Sequence, residues 1–362
     1  MKKLLSVMLC LALSATIVTG CDSAGKPDAT SDTSASVTEE TTKETTEETT
    51  EESATETTEE TPDFEFQPKV CSHFYEDIYG TAMCEAWFSL VDAVMAGEDT
   101  FSCPNGHTYL WVLSDFPNAC FPVLGEIVKQ PDNYDFTQVN GTARFEYKVP
   151  KEEAAQMIAE FEELVVDILN ETMREEYSDF EKALSLYSYF THNYTYDYDT
   201  YRLIEDNQIV NYTSAYRLLT TGNGICSEIA PAYSYLLMQV GVEASVVTGG
   251  KHEWSIVKLD DKYYHVDPTF GLDNWDYLGY FMMTDEQRSE EGDYSPAEFE
   301  YVGSYSPEVD PVYTADDESF AVLWDYHYES FDYKNDELEC WKYSDEEGDQ
   351  VSFTFDYSEC PQ

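Results

Sequence analysis

Between Asn223 and Phe270 the chain changes its hydrophobic period once, and that change limits the possible folds more than any other feature. Ser227–Val240 reads as a helix that stops at Gly241, the residue type that most often ends helices. Three β-rich segments follow: Glu243–Thr248, Trp254–Leu259 and Lys262–Val266. Only Asp260-Asp261 separates the last two, so they form a tight hairpin. A helix followed at once by strands has to bury its apolar face against them. The pattern therefore predicts an α+β fold in which one helix packs on an antiparallel sheet.

The same stretch supplies, in chain order, a thiol, an imidazole and a carboxylate: Cys226, His252 and Asp267. These are the three groups a thiol acyl-transfer enzyme needs, namely a nucleophile, a base to ionise it and an acid to orient the base. Cys226 follows the turn Asn223-Gly224 at the predicted helix start, where unpaired N–H groups and the positive dipole end favour a thiolate. Its own backbone N–H would point to where an oxyanion forms. His252 stands at the mouth of a strand after Gly249-Gly250-Lys251, and pairing across Asp260-Asp261 brings the 252–256 region roughly opposite 265–269, where His252 can meet Asp267. His265 competes for the base role, but within Tyr263-Tyr264-His265-Val266 it is expected to pack in the sheet.

These residues resemble the transglutaminase-like superfamily of papain-type cysteine enzymes, in its bacterial extracytoplasmic branch. The resemblance rests on Gly224-Ile225-Cys226, on His252-Glu253-Trp254-Ser255-Ile256-Val257 and on Tyr264-His265-Val266-Asp267-Pro268-Thr269-Phe270. It extends to Gly241-Val242-Glu243-Ala244 and Tyr280-Phe281-Met282-Met283. It implies a papain-like α+β core, Cys226 as nucleophile, His252 as base and Asp267 as orienting acid, with no cofactor or metal. Two departures stand out: Glu228-Ile229 replaces a common Gly-Tyr pair, and Ser255 replaces Asn. A carboxylate two residues past the thiol would either raise its pKa or select a cationic group. For the oxyanion side chain, Asn193, Tyr194 and Asn223 are the candidates.

The N-terminus indicates where such an enzyme would work. Lys2 and Lys3 precede an apolar stretch, Leu4–Val18, too short to span a bilayer comfortably. Val18-Thr19-Gly20-Cys21 resembles a bacterial lipoprotein cleavage box. The expectation is a signal peptide over 1–20, lipidation of Cys21 and tethering outside the cytoplasmic membrane. Residues 21–62 then form an acidic Thr/Glu-rich tether, with thirteen acidic residues against Lys26 and Lys43, too charged and too polar to fold. The remaining chain divides into an α/β extension at 63–150, the catalytic core at 151–295 and a β-rich region at 296–362. With the tether and the signal lysines set aside, the formal charge of −54 leaves about −45 on the folded part. Such a surface argues against nucleic acid and anionic lipid, leaving membrane contact to the N-terminal lipid alone, and favours a peptide or protein amide substrate that is cationic or Lys-containing. Hydrolysis of peptide or cell-wall amides is the leading reading, Gln-to-Lys transamidation the alternative and a non-catalytic binding module the third.

Outside the signal and the lipid site seven cysteines remain, and an odd count leaves one thiol free if six pair in an oxidising compartment. Cys226 is the expected odd one, with Cys340–Cys360 a plausible bridge. A rival zinc set would be Cys71, His73, Cys84, Cys103 and His107, although its spacing matches no compact finger. Elsewhere the pattern predicts a helix over Ala82–Ala96, a hairpin about Asn140-Gly141 and a long helix over Lys151–Met173. It also predicts a capping box at Ser178 and Glu181 and strands at Phe320–Trp324, Tyr326–Phe331, Leu338–Tyr343 and Val351–Tyr357.

Overall fold

The computed structural model describes residues 64–206, 208, 213–272, 274–292, 295–296, 299–301, 313–344 and 349–362. The signal, Cys21 and the tether lie outside the described residues. Among those described, no helix is long and apolar enough to cross a membrane.

The core is α+β. Its helices are α1 (Thr81–Met95), α2 (Lys151–Thr172), α3 (Asp179–Asn193), α4 (Ala215–Thr221) and α5 (Cys226–Gln239). Strands β1 (Ala244–Gly249), β2 (His252–Leu259) and β3 (Lys262–Val266) follow directly, then α6 (Pro268–Gly271), α7 (Asp285–Gly292) and β4 (Glu300–Tyr301). The four strands form one antiparallel sheet in the order β4-β1-β2-β3. β2 is central: Ala244 pairs with Val257 on one side and Ser255 with Val266 on the other. A single register fixes all of β2, because the side-chain period of two would send every residue to the wrong face after a one-residue slip.

Helix α5 lies on this sheet, as the period change predicts. Ser255 Oγ donates to the Ala230 carbonyl at 3.2 Å and accepts from Ser234 Oγ at 2.9 Å, so a polar seam stitches helix to strand inside an apolar layer. Pro231 falls inside the helix, where its ring removes one N–H from the ladder. α3 packs on the other side of α5, with Tyr233 Oη donating to the Ala183 carbonyl at 2.8 Å. The α3 capping box is present in full: Glu181 N donates to Ser178 Oγ and Ser178 N to the Glu181 carboxylate. One apolar cluster runs from Val70 to Tyr357 and joins the flanking segments to this centre.

Three expectations give way to tertiary contacts. Asn140-Gly141 closes no hairpin: Phe136–Gln138 is a 3-10 turn capped by the Asp135 carboxylate, and Gly141–Arg144 pairs instead with Thr100–Cys103. Phe320–Trp324 is no strand but the start of a 3-10 turn, with Phe320 stacked on Phe180 at 4.7 Å. The three segments after it do form an antiparallel meander, β5 (His327–Asp332), β6 (Glu337–Tyr343) and β7 (Gln350–Asp356). The cysteine count also fails. Cys71 and Cys84 are bonded to each other, whereas Cys103, Cys120, Cys226, Cys340 and Cys360 are free thiols. Cys340 is fully buried in β6, while Cys360 sits at the terminus with Sγ directed at the Ser319 carbonyl. Cys103 and Cys120 are fully buried too and serve as small apolar residues. The disulfide removes two of the five residues in the alternative zinc set.

Candidate active site

Cys226 is the first residue of α5, and the segment before it is held by an unusual buried carboxylate. Ile225 is the N-cap and has no side-chain acceptor, so Glu228 reaches back three residues and accepts from Ile225 N at 3.0 Å. Its other oxygen accepts from Ser214 N at 2.8 Å and from Arg217 Nε at 2.7 Å, and Arg217 Nη2 completes a bidentate pair. Arg217 also holds Asp197 at 2.9 Å. The carboxylate of Glu228 is therefore committed to Ile225, Ser214 and Arg217. It is fully enclosed and ties the start of α5 to α4. Gly224 makes this possible, because a Cβ there would lie 2.8 Å from Leu218 Cδ1 and 3.1 Å from Glu228 Oε2.

The end of the layer at which Cys226 sits follows from neighbouring contacts. Thr195–Tyr196, just past α3, pairs in parallel with Asn223–Gly224, just before Cys226. The C-terminal end of α3 and the N-terminal end of α5 thus lie together. Gly271 of α6 packs against Tyr187 and Thr191 in the same half of α3, and α6 also packs against α5. Asp267 caps α6, so it stands at the cysteine end of the sheet.

There Asp267 and His252 meet. His252 Nε2 lies 2.7 Å from Asp267 Oδ2, with both side chains almost completely buried. The other carboxylate oxygen accepts from Thr269 N at 3.1 Å and Phe270 N at 3.3 Å, which fixes its plane. With Nε2–H committed to Asp267, Nδ1 is the nitrogen that can take a proton. The imidazole is stacked on Phe270 at 4.8 Å, with Trp254 on the same face of β2 at 5.9 Å. Gly249 leaves room for that indole, since a Cβ there would lie 2.4 Å from Trp254 Cη2.

Sequence patterns do not reveal one member of this group. Arg288 of α7 is fully buried, donates from Nη2 to Asp267 Oδ2 at 3.0 Å, and lies over the rings of Trp254 at 4.3 Å and Phe270 at 5.2 Å. Burial alone would raise the Asp267 pKa, but the His252 and Arg288 charges, the His252 hydrogen bond and the Phe270 N–H outweigh it and hold the carboxyl below its ordinary value. The one available hint was an arginine in an acidic chain within an otherwise polar helix, 21 residues past Asp267.

His265 lies elsewhere in the network. It is fully buried, Trp254 Nε1–H donates to its Nδ1 at 2.9 Å, and its Nε2 faces Asp285 at 2.8 Å. Burial depresses its pKa despite the Asp285 carboxylate, so a neutral ring packs in the sheet. Of the oxyanion candidates, Asn193 is exposed and donates to the Tyr189 carbonyl, Asn223 accepts from Thr195 Oγ1, and Tyr194 is buried against Phe190. On the helix-facing side of β2, Glu253 is half-buried, and burial together with the Asp115 carboxylate pushes it up to about 7. Asp115 is itself raised by burial to about 6. Burial pushes the thiol of Cys103 up to about 11 and that of Cys340 to about 12, which makes both poor nucleophiles.

The sequence profile of the transglutaminase-like superfamily matches residues 166–270. No curated protein matches the chain. Among solved structures, a candidate cysteine protease from Cytophaga hutchinsonii is 16% identical, with 33% of this chain and 39% of that one covered and a TM-score of 0.24. A TGase is 18% identical, with 48% of this chain and 47% of that one covered and a TM-score of 0.31. The match spans less than half the length of either neighbour. The stretch that is similar to the transglutaminase-like superfamily, residues 166–270, includes Cys226, His252 and Asp267.

Proposed function

We propose that this chain is a thiol acyl-transfer enzyme, with Cys226 as nucleophile, His252 as base and Asp267 as the acid that orients it, and that it hydrolyses amide bonds in peptide or cell-wall material. One observation carries the reading: a buried imidazole–carboxylate pair stands at the end of the sheet where α5 begins with a cysteine. The Cys226 sulfur would attack the amide carbonyl carbon while His252 Nδ1 takes the thiol proton. The C–N bond then breaks, the imidazolium returns the proton to the departing amine, and a thioester remains. Water, deprotonated by the same Nδ1, would release the acid and restore the thiol. Asp267 keeps Nε2 protonated throughout, so the tautomer with a basic Nδ1 persists.

The first turn of α5 supplies the electrostatic part. Its leading N–H groups and positive dipole end favour both the thiolate and the oxyanion. Glu228 would keep that turn in place while its own charge is neutralised by Arg217. Hydrolysis needs no second binding site for an acceptor, and on that ground it is the simplest completion. The half-buried carboxylates of Asp115 and Glu253 support the alternative, amine-accepting transamidation, because they would attract a cationic group near the site. We further propose that lipid on Cys21 holds the enzyme on the outer side of the cytoplasmic membrane, with the acidic tether giving it reach.

The test is incubation with a Gln-containing peptide and a labelled primary amine, using Cys226→Ala as control. Cleaved peptide or released ammonia supports hydrolysis, and label incorporation supports transamidation. If Cys226 is alkylated by iodoacetamide near neutral pH no faster than an ordinary exposed thiol, the enzyme reading fails.

A further inference from the structure

Arg288 lies beyond the span that matches the superfamily profile, yet it joins the centre of the site. Its guanidinium shares Asp267 Oδ2 with His252 Nε2, at 3.0 and 2.7 Å respectively. It is held over the same two rings, Trp254 and Phe270, that face the imidazole. A planar cation over aromatic faces loses little freedom on pairing and keeps a fixed donor direction, which a lysine could not reproduce. α7 is placed for this by Arg288 N donating to the Thr284 carbonyl at 2.9 Å, just past the bridge that joins Met283 to His265.

Burying an aspartate beside a histidine is costly unless the charge is compensated. A carboxylate paired only with His252 would lose its counter-charge whenever the ring is neutral, the state in which a base must wait. A guanidinium beside the carboxylate supplies that counter-charge whatever the state of the ring. Other groups face the same carboxylate without supplying charge: the Thr269 and Phe270 N–H groups fix Oδ1, and the phenols of Tyr187 and Tyr280 feel it from α3 and from the turn before β3's bridge partner. From β3 and α7, the His265–Asp285 pair meets Trp254, and His265 feels the charges of both Arg288 and Asp267.

We propose that Arg288 is a positioning residue for the proposed Cys226–His252–Asp267 group: it fixes the charge and direction of Asp267 so that Oδ2 holds His252 in the tautomer with hydrogen on Nε2. The proposal rests on the catalytic reading above but acts on atoms that can be observed without it. Arg288 is fully buried, out of reach of a substrate at the surface, so its removal should lower kcat and leave KM nearly unchanged.

The test compares the full chain with Arg288→Met and Arg288→Lys. Iodoacetamide labelling of Cys226 is followed by mass spectrometry against pH, thermal melting controls for folding, and side-chain 15N shifts of histidine report the His252 tautomer. In folded Arg288→Met, alkylation near neutral pH is expected to fall about 10–100-fold, the size of loss seen when the hydrogen-bond partner behind a metal-bound histidine is removed. Its acid limb should move to higher pH, because Asp267 loses one of the charges holding it ionised. The Nε2–H tautomer should give way to a mixture, and Arg288→Lys should recover part of both signals. A folded Arg288→Met with the parent's acid limb and tautomer overturns the proposal, as does a uniform rate loss with neither signal moved. If Cys226 of the parent proves unreactive, the catalytic reading fails, and the tautomer comparison still decides the role of Arg288.

Discussion

Replacing Glu228 by Gln removes one charge from the segment that positions Cys226 and changes almost nothing in volume. In the parent, the carboxylate is fully enclosed and accepts from Ile225 N, Ser214 N and two guanidinium nitrogens of Arg217. A Gln carbonyl can keep the donors on one side, but its amide nitrogen then faces an N–H or a guanidinium on the other. Removing one partner of a buried ion pair costs roughly 3–5 kcal/mol. Arg217 is 27% exposed and keeps Asp197, so its charge is not stranded and the lower part of the range applies. The expected loss is about 3–4 kcal/mol, most of it from the charge-assisted bonds and the unsatisfied Ile225 N–H. Urea unfolding followed by tryptophan fluorescence measures it, and Cys226 alkylation should slow in the same variant because the first turn of α5 loosens. The Arg217→Met, Glu228→Met double variant should lose less than the two single changes added together. A Glu228→Gln protein within roughly 0.5 kcal/mol of the parent, the range of ordinary surface changes, would refute this account of the helix start.

Two further outcomes follow from the same geometry. Gly224→Ala places a Cβ against Leu218 and Glu228, and overpacking of this kind should cost about 1–3 kcal/mol in urea unfolding and displace Cys226 as well. Glu253 prefers its protonated form in the folded chain, up to about 7, so its ionisation weakens the fold progressively as pH rises from the ordinary glutamate value through that range. Thermal melts should therefore show Glu253→Gln gaining on the parent between pH 5 and pH 8, and a constant difference across that window would contradict the upward shift that burial and the Asp115 charge impose on Glu253.

The helix–sheet unit was legible because its signals are local. The change from helical to alternating period, the stop at Gly241 and the turn at Asp260-Asp261 each depend on neighbours a few residues away, and α5, β2 and β3 lie where those signals put them. That the 252–256 region lies against 265–269 followed from the hairpin at Asp260-Asp261, whereas the register, with Ser255 opposite Val266, leaves His252 two residues beyond the position that faces Asp267. The Asn140-Gly141 signal is equally local, yet it lost to pairing with Thr100–Cys103, about forty residues earlier, which places Ala143 in the core. Cysteine counting failed for a similar reason: whether Cys340 meets Cys360 depends on where β6 and the terminus pack.

By itself, then, the sequence determined the fold class of the centre, the order of thiol, imidazole and carboxylate, and the hairpin that brings the segments of the last two side by side. Periodicity and turn chemistry are properties of short segments and survive in the one-dimensional record. Tertiary structure decided how the charges are paid out among partners: Glu228 to Arg217 across α4, and Asp267 to Arg288 from α7. A buried carboxylate must find its cation wherever packing leaves one, and packing brings together residues that no local pattern connects.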